Sequence, residues 1–251
     1  MKITVFNGSP RAKLGNTNVM VESFLEGAKQ AEAEVEQVYL SKYKINPCRA
    51  CKTCWEKTPG KCVQKDDMAE LITKVISSDV LGLATPVFAD NVSGILKNFI
   101  DRLIVIGDPH WTKDELGECR HILRYSKPGK LLVFSNCGFP EQSHFQVLRL
   151  LFKRMSRNLG WSIMGEVYRA GGALLTSKDE NIKPFIEKYK LLLVKAGIEA
   201  VEKGSLSEEI SAELEKPLLP IPNFVDVFFT RVNQICDEME LRHSEGVKQN
   251  G

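Results

Sequence analysis

The sequence predicts an α/β protein in which a doubly wound, five-stranded parallel sheet is followed by extra C-terminal helices. Short apolar runs alternate with amphipathic stretches along the first 170 residues, as expected for βα units. Each run is rich in β-branched or aliphatic residues and ends at Gly, Pro or a small polar residue. Beyond residue 170 only helical patterns follow. We therefore expect a sheet domain over 1–170 and a helical extension over 171–251, packed on that domain or on a sister subunit.

Each predicted element follows from the spacing of its apolar residues. The strands are predicted at 3–7, 34–40, 80–85, 131–136 and 164–169. The crossover helices, each with one apolar face, are predicted at 18–30, 68–76, 95–105 and 145–159. A long helix is predicted at 179–203, and after the prolines at 217–222 a last helix has an apolar stripe formed by Val225, Phe228, Phe229, Val232, Ile235, Cys236 and Met239.

Composition excludes several classes of protein. The chain has 251 residues, is 43% hydrophobic and 26% charged, and carries a formal net charge of +2, which argues against disorder and against electrostatic binding of nucleic acid. No apolar run approaches the roughly 18 residues of a membrane span, and no signal-peptide core follows the first residues. We expect a soluble cytoplasmic protein without a nucleic-acid or membrane partner.

The loop after the first strand, at 7–17, has the chemistry of an anion site. It opens directly into a predicted helix, whose first N–H groups and positive dipole end favour a phosphate. Ser9 and Thr17 add hydroxyl groups, and Arg11 adds a charge-assisted fork. The spacing matches neither a Walker A loop nor G-x-G-x-x-G. The alternative is a simple turn in which Asn16 or Thr17 caps the helix.

Two more loops follow strands of the same predicted sheet. The loop at 85–93 contains Phe88, and the loop at 135–140 contains Phe139, each able to lie beside a flat ring or to pack in its own loop. In an open parallel sheet ligands bind beyond the carboxyl ends of the strands, so the three loops predict one crevice. The candidate cofactor-binding residues are Ser9, Pro10, Arg11, Asn16, Thr17, Asn18, Thr85, Pro86, Val87, Phe88, Asn91, Asn136, Cys137, Gly138 and Phe139.

Four segments carry a resemblance to a known family. They are 8–11 (GSPR), 15–17 (GNT), 85–88 (TPVF) and 97–102 (KNFIDR). Together they resemble the signature segments of the flavodoxin-like NADPH-dependent FMN reductase family, over about residues 1–170. The resemblance implies that the first loop holds the FMN phosphate, that the other two loops flank the isoalloxazine ring, and that NAD(P)H is a co-substrate.

Four of the seven cysteines lie within a short insertion at 46–66, namely Cys48, Cys51, Cys54 and Cys62. Three thiolates at intervals of three can cover one face of a cuboidal iron–sulfur cluster, and the fourth can arrive from a turn at 59–60. Structural zinc prefers two separated C-x2-C pairs, and reduced or redox-active thiols are the other alternative. The pattern resembles that of the iron-sulfur flavoproteins, a branch of the same group, which implies a [4Fe-4S] cluster beside FMN.

Other chemistry-bearing residues have structural interpretations. Asp66 and Asp67 precede a predicted helix and are expected to cap it rather than to act as an acid–base pair. Cys119 and His121 lack further ligands nearby in sequence and are expected at a loop surface or subunit contact. Cys137 is expected to be a passive residue beside the flavin.

These features predict an FMN-dependent oxidoreductase that relays electrons between FMN and a [4Fe-4S] cluster to a small-molecule or protein acceptor, a ferredoxin among the candidates. No side chain is required as a catalytic acid or base. The alternatives are a cluster-free NADPH-dependent FMN or quinone reductase and a flavodoxin-like electron carrier, although the net charge of +2 disfavours the carrier. The apolar C-terminal helices predict a homodimer or homotetramer.

Overall fold

The structure is a computed structural model and describes residues 1–125 and 127–249. Its strands are β1 (Lys2–Asn7), β2 (Glu34–Tyr39), β3 (Val80–Pro86), β4 (Gly107–Lys113), β5 (Cys119–Leu123), β6 (Lys130–Asn136) and β7 (Ser162–Arg169). A parallel sheet of five strands has the order β2-β1-β3-β6-β7, which is the doubly wound order of a flavodoxin-like fold. The predicted fold class is confirmed, and the five predicted strands differ from the observed ones by at most two residues at either end.

The helices are α1 (Asn16–Gln30), α2 (Thr53–Glu56), α3 (Met68–Ile76), α4 (Gly94–Arg102), α5 (Gln146–Leu159), α6 (Lys183–Lys203), α7 (Glu208–Glu215) and α8 (Phe224–Gln249). One apolar cluster joins the sheet to α3, α4 and α5, and the other joins the opposite face to α1, α6 and α7. Buried strands between two helical layers explain the nearly continuous apolar runs that made the strands predictable. The predicted helix 95–105 ends as a 3-10 turn at Leu103–Ile106.

The sheet register brings three loops to one edge. Asn7 at the end of β1 pairs with Ala84 of β3, while Pro86 pairs with Asn136 at the end of β6. Asn136 in turn pairs with Arg169 at the end of β7. Because parallel strands all end on the same side, the segments that follow β1, β3 and β6 surround one crevice.

Helix α6 packs against α1 at very short range. A Cβ atom added to Gly27 would meet the backbone of Val194, and one added to Gly197 would meet the backbone of Phe24 and Ala28. Glycine at both positions lets the two helix backbones approach more closely than any side chain would allow. The long predicted helix at 179–203, observed at Lys183–Lys203, is therefore part of the layer that covers the sheet.

Three features differ from the sequence predictions. The polar stretch after residue 106 contains an antiparallel hairpin of β4 and β5. The sequence did not predict it, because the two strands pair through their backbones and have no buried apolar run to mark them. Helix α7 was not predicted, since its single buried residue, Leu214, gives little periodicity. The stripe predicted on the last helix is mostly exposed up to residue 240, with Phe229 at 67% and Met239 at 60%, so it does not pack on the sheet.

Residues 250 and 251 of the predicted extension lie outside the described residues. Within the described part of the chain, every helix is too short or too polar to cross a lipid bilayer.

Candidate functional site

A cavity of about 190 Å³ lies beyond the carboxyl ends of β1, β3 and β6. All three predicted loops contribute to its wall. Its lining residues are Ser9, Pro10, Arg11, Gly15, Asn16, Thr17, Pro86, Val87, Phe88, Asn136 and Gly138. The structure therefore brings ten of the fifteen candidate cofactor-binding residues together, and it adds Gly15.

The first loop turns sharply at the end of β1. The backbone N–H of Ser9 donates to Asn7 Oδ1 at 2.9 Å, and the Gly8 N–H donates to Ala84 O at 2.8 Å. Ser9 is buried, whereas Arg11 is exposed at the cavity mouth. After a 3-10 turn the chain enters α1 at Asn16. The loop thus offers one buried hydroxyl, one exposed cation and a helix N-terminus to a single small volume.

The first backbone amides of α1 are available to a ligand. Helices leave their first N–H groups without intrahelical acceptors. Within the described residues, the N–H groups of Asn16 and Thr17 have no protein acceptor, and no side chain caps this helix. These donors and the adjacent Arg11 match the oxygen atoms of a phosphate monoester.

Asn136 connects the three loops. Its Nδ2 donates to Thr17 Oγ1 at 2.7 Å, and its backbone oxygen accepts the N–H of Val87 at 2.8 Å. Both side chains of the Asn136–Thr17 pair are buried. A Cβ atom on Gly172 would lie 2.8 Å from Asn136 Oδ1, so that glycine leaves room for this amide. The pair fixes the start of α1 relative to the end of β6.

The loop after β3 contains a tight turn that presents an aromatic ring. Phe88 and Asn91 pair through two backbone hydrogen bonds of 2.9 and 3.0 Å. Between them Ala89 and Asp90 have φ values of 46° and 58°, the left-handed conformation that such two-residue turns require. The turn leaves the Phe88 side chain half exposed at the rim of the cavity, where it can lie against a planar ligand.

Two candidate residues support the site from outside the cavity. Asn18 donates to Lys13 O at 3.1 Å, and its Oδ1 accepts from Tyr39 Oη at 2.8 Å, so its amide is directed toward β2. Thr85 Oγ1 accepts the N–H of Ser93 at 2.9 Å and thereby helps to hold the start of α4. Both residues are buried and do not line the cavity.

Three more candidates also lie outside the cavity lining. The Asn91 Oδ1 accepts its neighbour's N–H within the turn. Cys137 is buried, and its Sγ donates to Phe139 O at 3.3 Å; burial raises the pKa of this thiol to about 11. Phe139 is exposed and stacks on His144 at 4.4 Å between ring centroids. These contacts make Cys137 a neutral packing residue rather than a nucleophile.

A second cavity, of about 410 Å³, contains the clustered cysteines. Cys48, Cys51, Cys54 and Cys62 all contribute to its wall. Cys54 is buried on the short helix α2, whereas the other three are exposed, and all four are free thiols. A turn with hydrogen bonds from Gly60 N to Cys54 O and from Lys61 N to Thr58 O brings Cys62 back toward this helix. The predicted return of the fourth cysteine through the turn at 59–60 is thus seen in the backbone.

The thiols of Cys51 and Cys54 have pKa values shifted in opposite directions. Hydrogen bonds with Thr53 lower the pKa of Cys51. Burial raises the pKa of Cys54, and the negative charge of a neighbouring Cys62 thiolate raises it further.

Beneath the thiols is a buried ion pair. Arg102 at the end of α4 binds Asp66 in a bidentate manner, with distances of 2.7 and 3.0 Å, and both side chains are almost completely buried. The same carboxylate accepts the N–H groups of Asn46 and Met68, so Asp66 caps the start of α3 as predicted. Asp67, predicted to share that role, instead accepts the N–H of Lys44 at 2.7 Å. Burial opposes ionisation, but the hydrogen bonds from Arg102 and from the backbone prevail and lower the pKa of Asp66.

The four thiols around this cavity equal in number the cysteine ligands that a [4Fe-4S] cluster takes. Among the described residues, no three His, Cys, Asp or Glu side chains stand close enough to share one metal ion. In a [4Fe-4S] cluster each thiolate binds a different iron, so its ligands surround a larger volume. The four cysteines and the buried Arg102 all line this one cavity.

Sequence reasoning missed two residues at the cysteine cavity. Arg102 lies in the segment 97–102 that carried the family resemblance, but its partner Asp66 is 36 positions away, and only the fold joins them. Trp55 lines the cavity and donates through Nε1 to Ile104 O at 3.0 Å. Its position one residue after Cys54 was the available signal.

Sequence comparisons identify relatives of this chain. The family described as NADPH-dependent FMN reductase matches residues 1–117. An iron-sulfur flavoprotein of Archaeoglobus fulgidus is 35% identical over 185 residues, which cover 73% of this chain and 74% of the relative. An iron-sulfur flavoprotein of Methanocaldococcus jannaschii is 40% identical over 102 residues, covering 41% of this chain and 50% of that protein.

Solved structures share the fold. An FMN-dependent NADH-azoreductase of Bacillus anthracis, in complex with FMN, has a TM-score of 0.56 at 19% identity and covers 81% of this chain and 99% of its own. An NAD(P)H:quinone oxidoreductase of Methanothermobacter marburgensis has a TM-score of 0.56 at 13% identity, covering 79% and 96% of the two chains. With the sequence match over most of its length, the chain belongs to the NADPH-dependent FMN reductase family, in its iron-sulfur flavoprotein branch, and is a flavin-dependent oxidoreductase.

Proposed function

We propose that the chain binds FMN in the cavity beyond β1, β3 and β6 and passes electrons between FMN and a [4Fe-4S] cluster held by Cys48, Cys51, Cys54 and Cys62. The observation that carries the proposal is that the sheet register assembles the phosphate loop, an aromatic rim and Asn136 around one cavity. When bound, FMN accepts a hydride from NAD(P)H and releases electrons singly or in pairs.

The phosphate of FMN would lie against the start of α1. Ser9 Oγ and the amides of Asn16 and Thr17 would donate to its oxygen atoms, and Arg11 would close over it from the exposed side. Thr17 already accepts a hydrogen bond from Asn136 through its Oγ1, which leaves its hydroxyl proton free for the ligand. The loop can therefore bind a dianion with donors that are oriented before binding.

The isoalloxazine ring would lie between the loops after β3 and β6. Pro86, Val87 and Phe88 form one wall, and Gly138, which has open space beside it, forms part of the other. These residues position the ring and exclude water, and none of them has to transfer a proton. The fifteen candidate residues divide accordingly into ten that would touch the cofactor and five that support the loops.

The cysteine cavity would hold the cluster, and the electrons would leave to a small-molecule or protein acceptor, such as a ferredoxin. The support is the donor set itself, because four thiols share one cavity with a buried cation beneath them. The alternative, a cluster-free NADPH-dependent FMN or quinone reductase, requires the flavin cavity alone.

A phosphate-selective binding experiment tests the flavin site. Arg11→Met is expected to weaken FMN binding about tenfold, by loss of one charge-assisted hydrogen bond, and to leave riboflavin binding unchanged, because riboflavin has no phosphate. Lys13→Met is the matched control, since Lys13 is exposed in the same loop but does not line the cavity. Equal losses for FMN and riboflavin, or none, would contradict this placement of the phosphate.

Metal analysis tests the cluster. After anaerobic purification or reconstitution, iron, acid-labile sulfide and flavin are counted per chain. Cys62→Ser is expected to lower the iron and sulfide counts and to leave flavin bound, whereas Cys119→Ser, an exposed cysteine on β5, should change neither. Flavin without iron or sulfide in the unmodified chain would establish the cluster-free reductase instead.

We also propose that residues 1–170 form the FMN-binding domain, on which α6 and α7 of the extension over 171–251 pack, and that α8 of this extension associates two or four copies of the chain. The exposed apolar side chains of α8 up to residue 240 support association. Sedimentation velocity of the full chain and of a Phe229→Glu variant tests this, because a charge on the stripe should shift the distribution toward monomer. An unmodified chain that sediments as a monomer would refute it.

A further inference from the structure

Another cavity, of about 680 Å³, lies between α6 and the end of α7. It shares no lining residue with the flavin cavity or with the cysteine cavity. Much of its wall is apolar and includes Phe185, Leu192 and Val194 of α6 and Leu218 after α7. Its volume falls within the range of about 300–1,000 Å³ that is usual for small-molecule sites.

The charges around this cavity are unbalanced. Its lining contains one carboxylate, Glu213, which already forms a salt bridge with Lys216. It also contains three further cations, which are Arg169, Lys188 and Lys195. An apolar wall with an excess of positive charge is complementary to a ligand that joins a negative group to an apolar body.

Arg169 is the buried cation of this cavity, with only 1% of its surface exposed. It is the last residue of β7, and its guanidinium donates to Leu214 O and Lys216 O at the end of α7. These acceptors are carbonyl groups, and within the described residues no carboxylate forms a salt bridge with Arg169. By contrast, the equally buried Arg102 has Asp66 as its partner. A buried charge without a counter-ion is costly, so Arg169 calls for an anion.

Two buried polar atoms at this place lack hydrogen-bond partners. They are Arg169 Nε and Tyr189 Oη, for which the described residues offer no partner. The two side chains are in contact, because the guanidinium carbon of Arg169 lies 4.0 Å from the centre of the Tyr189 ring. Buried donors are almost always paired, so two neighbouring unpaired donors beside one cavity indicate an acceptor from outside the chain.

We propose that this cavity is a second ligand site, which binds an organic carboxylate with an apolar body. The carboxylate lies toward Arg169, which supplies the counter-charge, and toward the hydroxyl of Tyr189, which donates a hydrogen bond. The apolar body lies against Leu192 and Leu218, and Lys195 at the exposed side attracts the anion. The site is separate from the flavin and cysteine cavities, so this inference does not rest on the proposed function.

The probe is 4-phenylbutyrate, because it joins a carboxylate to an apolar ring and chain. Its binding to the full chain is measured by isothermal titration calorimetry, with and without FMN, and the two affinities should agree. The alcohol 4-phenylbutan-1-ol has the same body without the charge and should bind at least about tenfold more weakly. Acetate has the charge without the body and should bind more weakly still.

Two substitutions locate the probe. Tyr189→Phe removes a hydroxyl that has no partner in the protein, so it should not lower the free energy of unfolding, but it should weaken 4-phenylbutyrate binding about 2- to 10-fold. Lys195→Met should weaken it about 2- to 5-fold. The matched controls are Tyr43→Phe and Lys190→Met, which change residues outside the lining and should leave the affinity unchanged.

Several results would overturn the inference. Equal affinities for the acid and the alcohol, or an affinity that neither Tyr189→Phe nor Lys195→Met changes, would refute the anion site. Competition by FMN would place the probe in the flavin cavity. An affinity that falls as the protein concentration rises would assign the cavity to a second copy of the chain. No binding of millimolar 4-phenylbutyrate, in calorimetry and in ligand-observed NMR, would also refute it.

Discussion

The close contact between α1 and α6 can be tested by whether a substitution in α6 raises or lowers the free energy of unfolding. We expect Gly197→Ala to destabilise the protein, although alanine is a better helix former than glycine by about 1 kcal/mol. Gly197 lies in the middle of α6 and is buried. If α6 packed loosely on α1, the substitution would raise the free energy of unfolding, because alanine favours the helix more than glycine does.

The magnitude follows from the geometry of the added methyl group. A Cβ atom at position 197 would lie 2.8 Å from Ala28 N and closer still to Phe24 O, whereas ordinary contact begins at 3.4 Å. Both neighbours are backbone atoms that cannot rotate away, so the helices must separate by roughly 1 Å. Overpacking costs about 1–3 kcal/mol; because both contacts here are with backbone, the cost lies in the upper part of that range, about 2–3 kcal/mol, while the better helix propensity of alanine contributes about 1 kcal/mol in the opposite direction. We expect a net loss of about 1–2 kcal/mol.

Thermal and urea unfolding followed by circular dichroism measure this loss. For a chain of this size, 1 kcal/mol corresponds to about 2–4 °C, so the midpoint should fall by about 2–8 °C. Gly94→Ala is the control, because Gly94 is an exposed helix residue with nothing within 4 Å of an added Cβ. It should be neutral or slightly stabilising. A Gly197→Ala protein as stable as the control would refute the close packing of α6 on α1.

Three further outcomes are expected. Burial opposes ionisation of Asp66, but the hydrogen bonds from Arg102 lower its pKa in the folded protein. The ionised carboxylate therefore stabilises the fold above about pH 4, and this stabilisation is lost as the pH falls through the folded-state pKa. Urea unfolding of the apoprotein from pH 6 to pH 2 should show this loss, and an Asp66→Asn, Arg102→Met double variant should lack it. Asn136→Ala removes the 2.7 Å bond to Thr17 and should cost about 1 kcal/mol and weaken FMN binding in calorimetry, and unchanged FMN affinity would argue against a role in the site. Phe88→Ala should change the free energy of unfolding by less than about 0.5 kcal/mol, because half of the ring is already exposed. It should raise the FMN dissociation constant about 2- to 10-fold through loss of the ring contact, and an unchanged affinity would place the flavin ring elsewhere.

Local patterns explain why much of the site was predictable. A phosphate loop requires small, hydroxyl and cationic residues directly between a strand and a helix, so Ser9, Arg11 and Thr17 are adjacent in sequence as well as in space. The cysteines are likewise close in sequence, and a short helix and turn suffice to bring their thiols to one cavity. Such sites depend on contacts over fewer than about twenty residues.

Long-range pairings explain what was not predictable. The bond between Asn136 and Thr17 joins residues 119 positions apart, and Arg102 meets Asp66 across 36 positions. The spacing of apolar residues along the chain does not predict such partners, because each pair depends on how separate helices and strands pack. The exposure of the α8 stripe was missed for the same reason, since an amphipathic pattern reports an apolar face but not what covers it.

The sequence by itself determined the five-stranded α/β architecture, the loop chemistry at the strand ends and the clustered thiols, because strand and helix periods and local spacing are written along the chain. Only the tertiary structure decided that Arg102 lies beneath the thiols and that two glycines let α6 join the layer over the sheet. Those features require backbones and charges from distant segments to meet, and only the packed chain determines their distances.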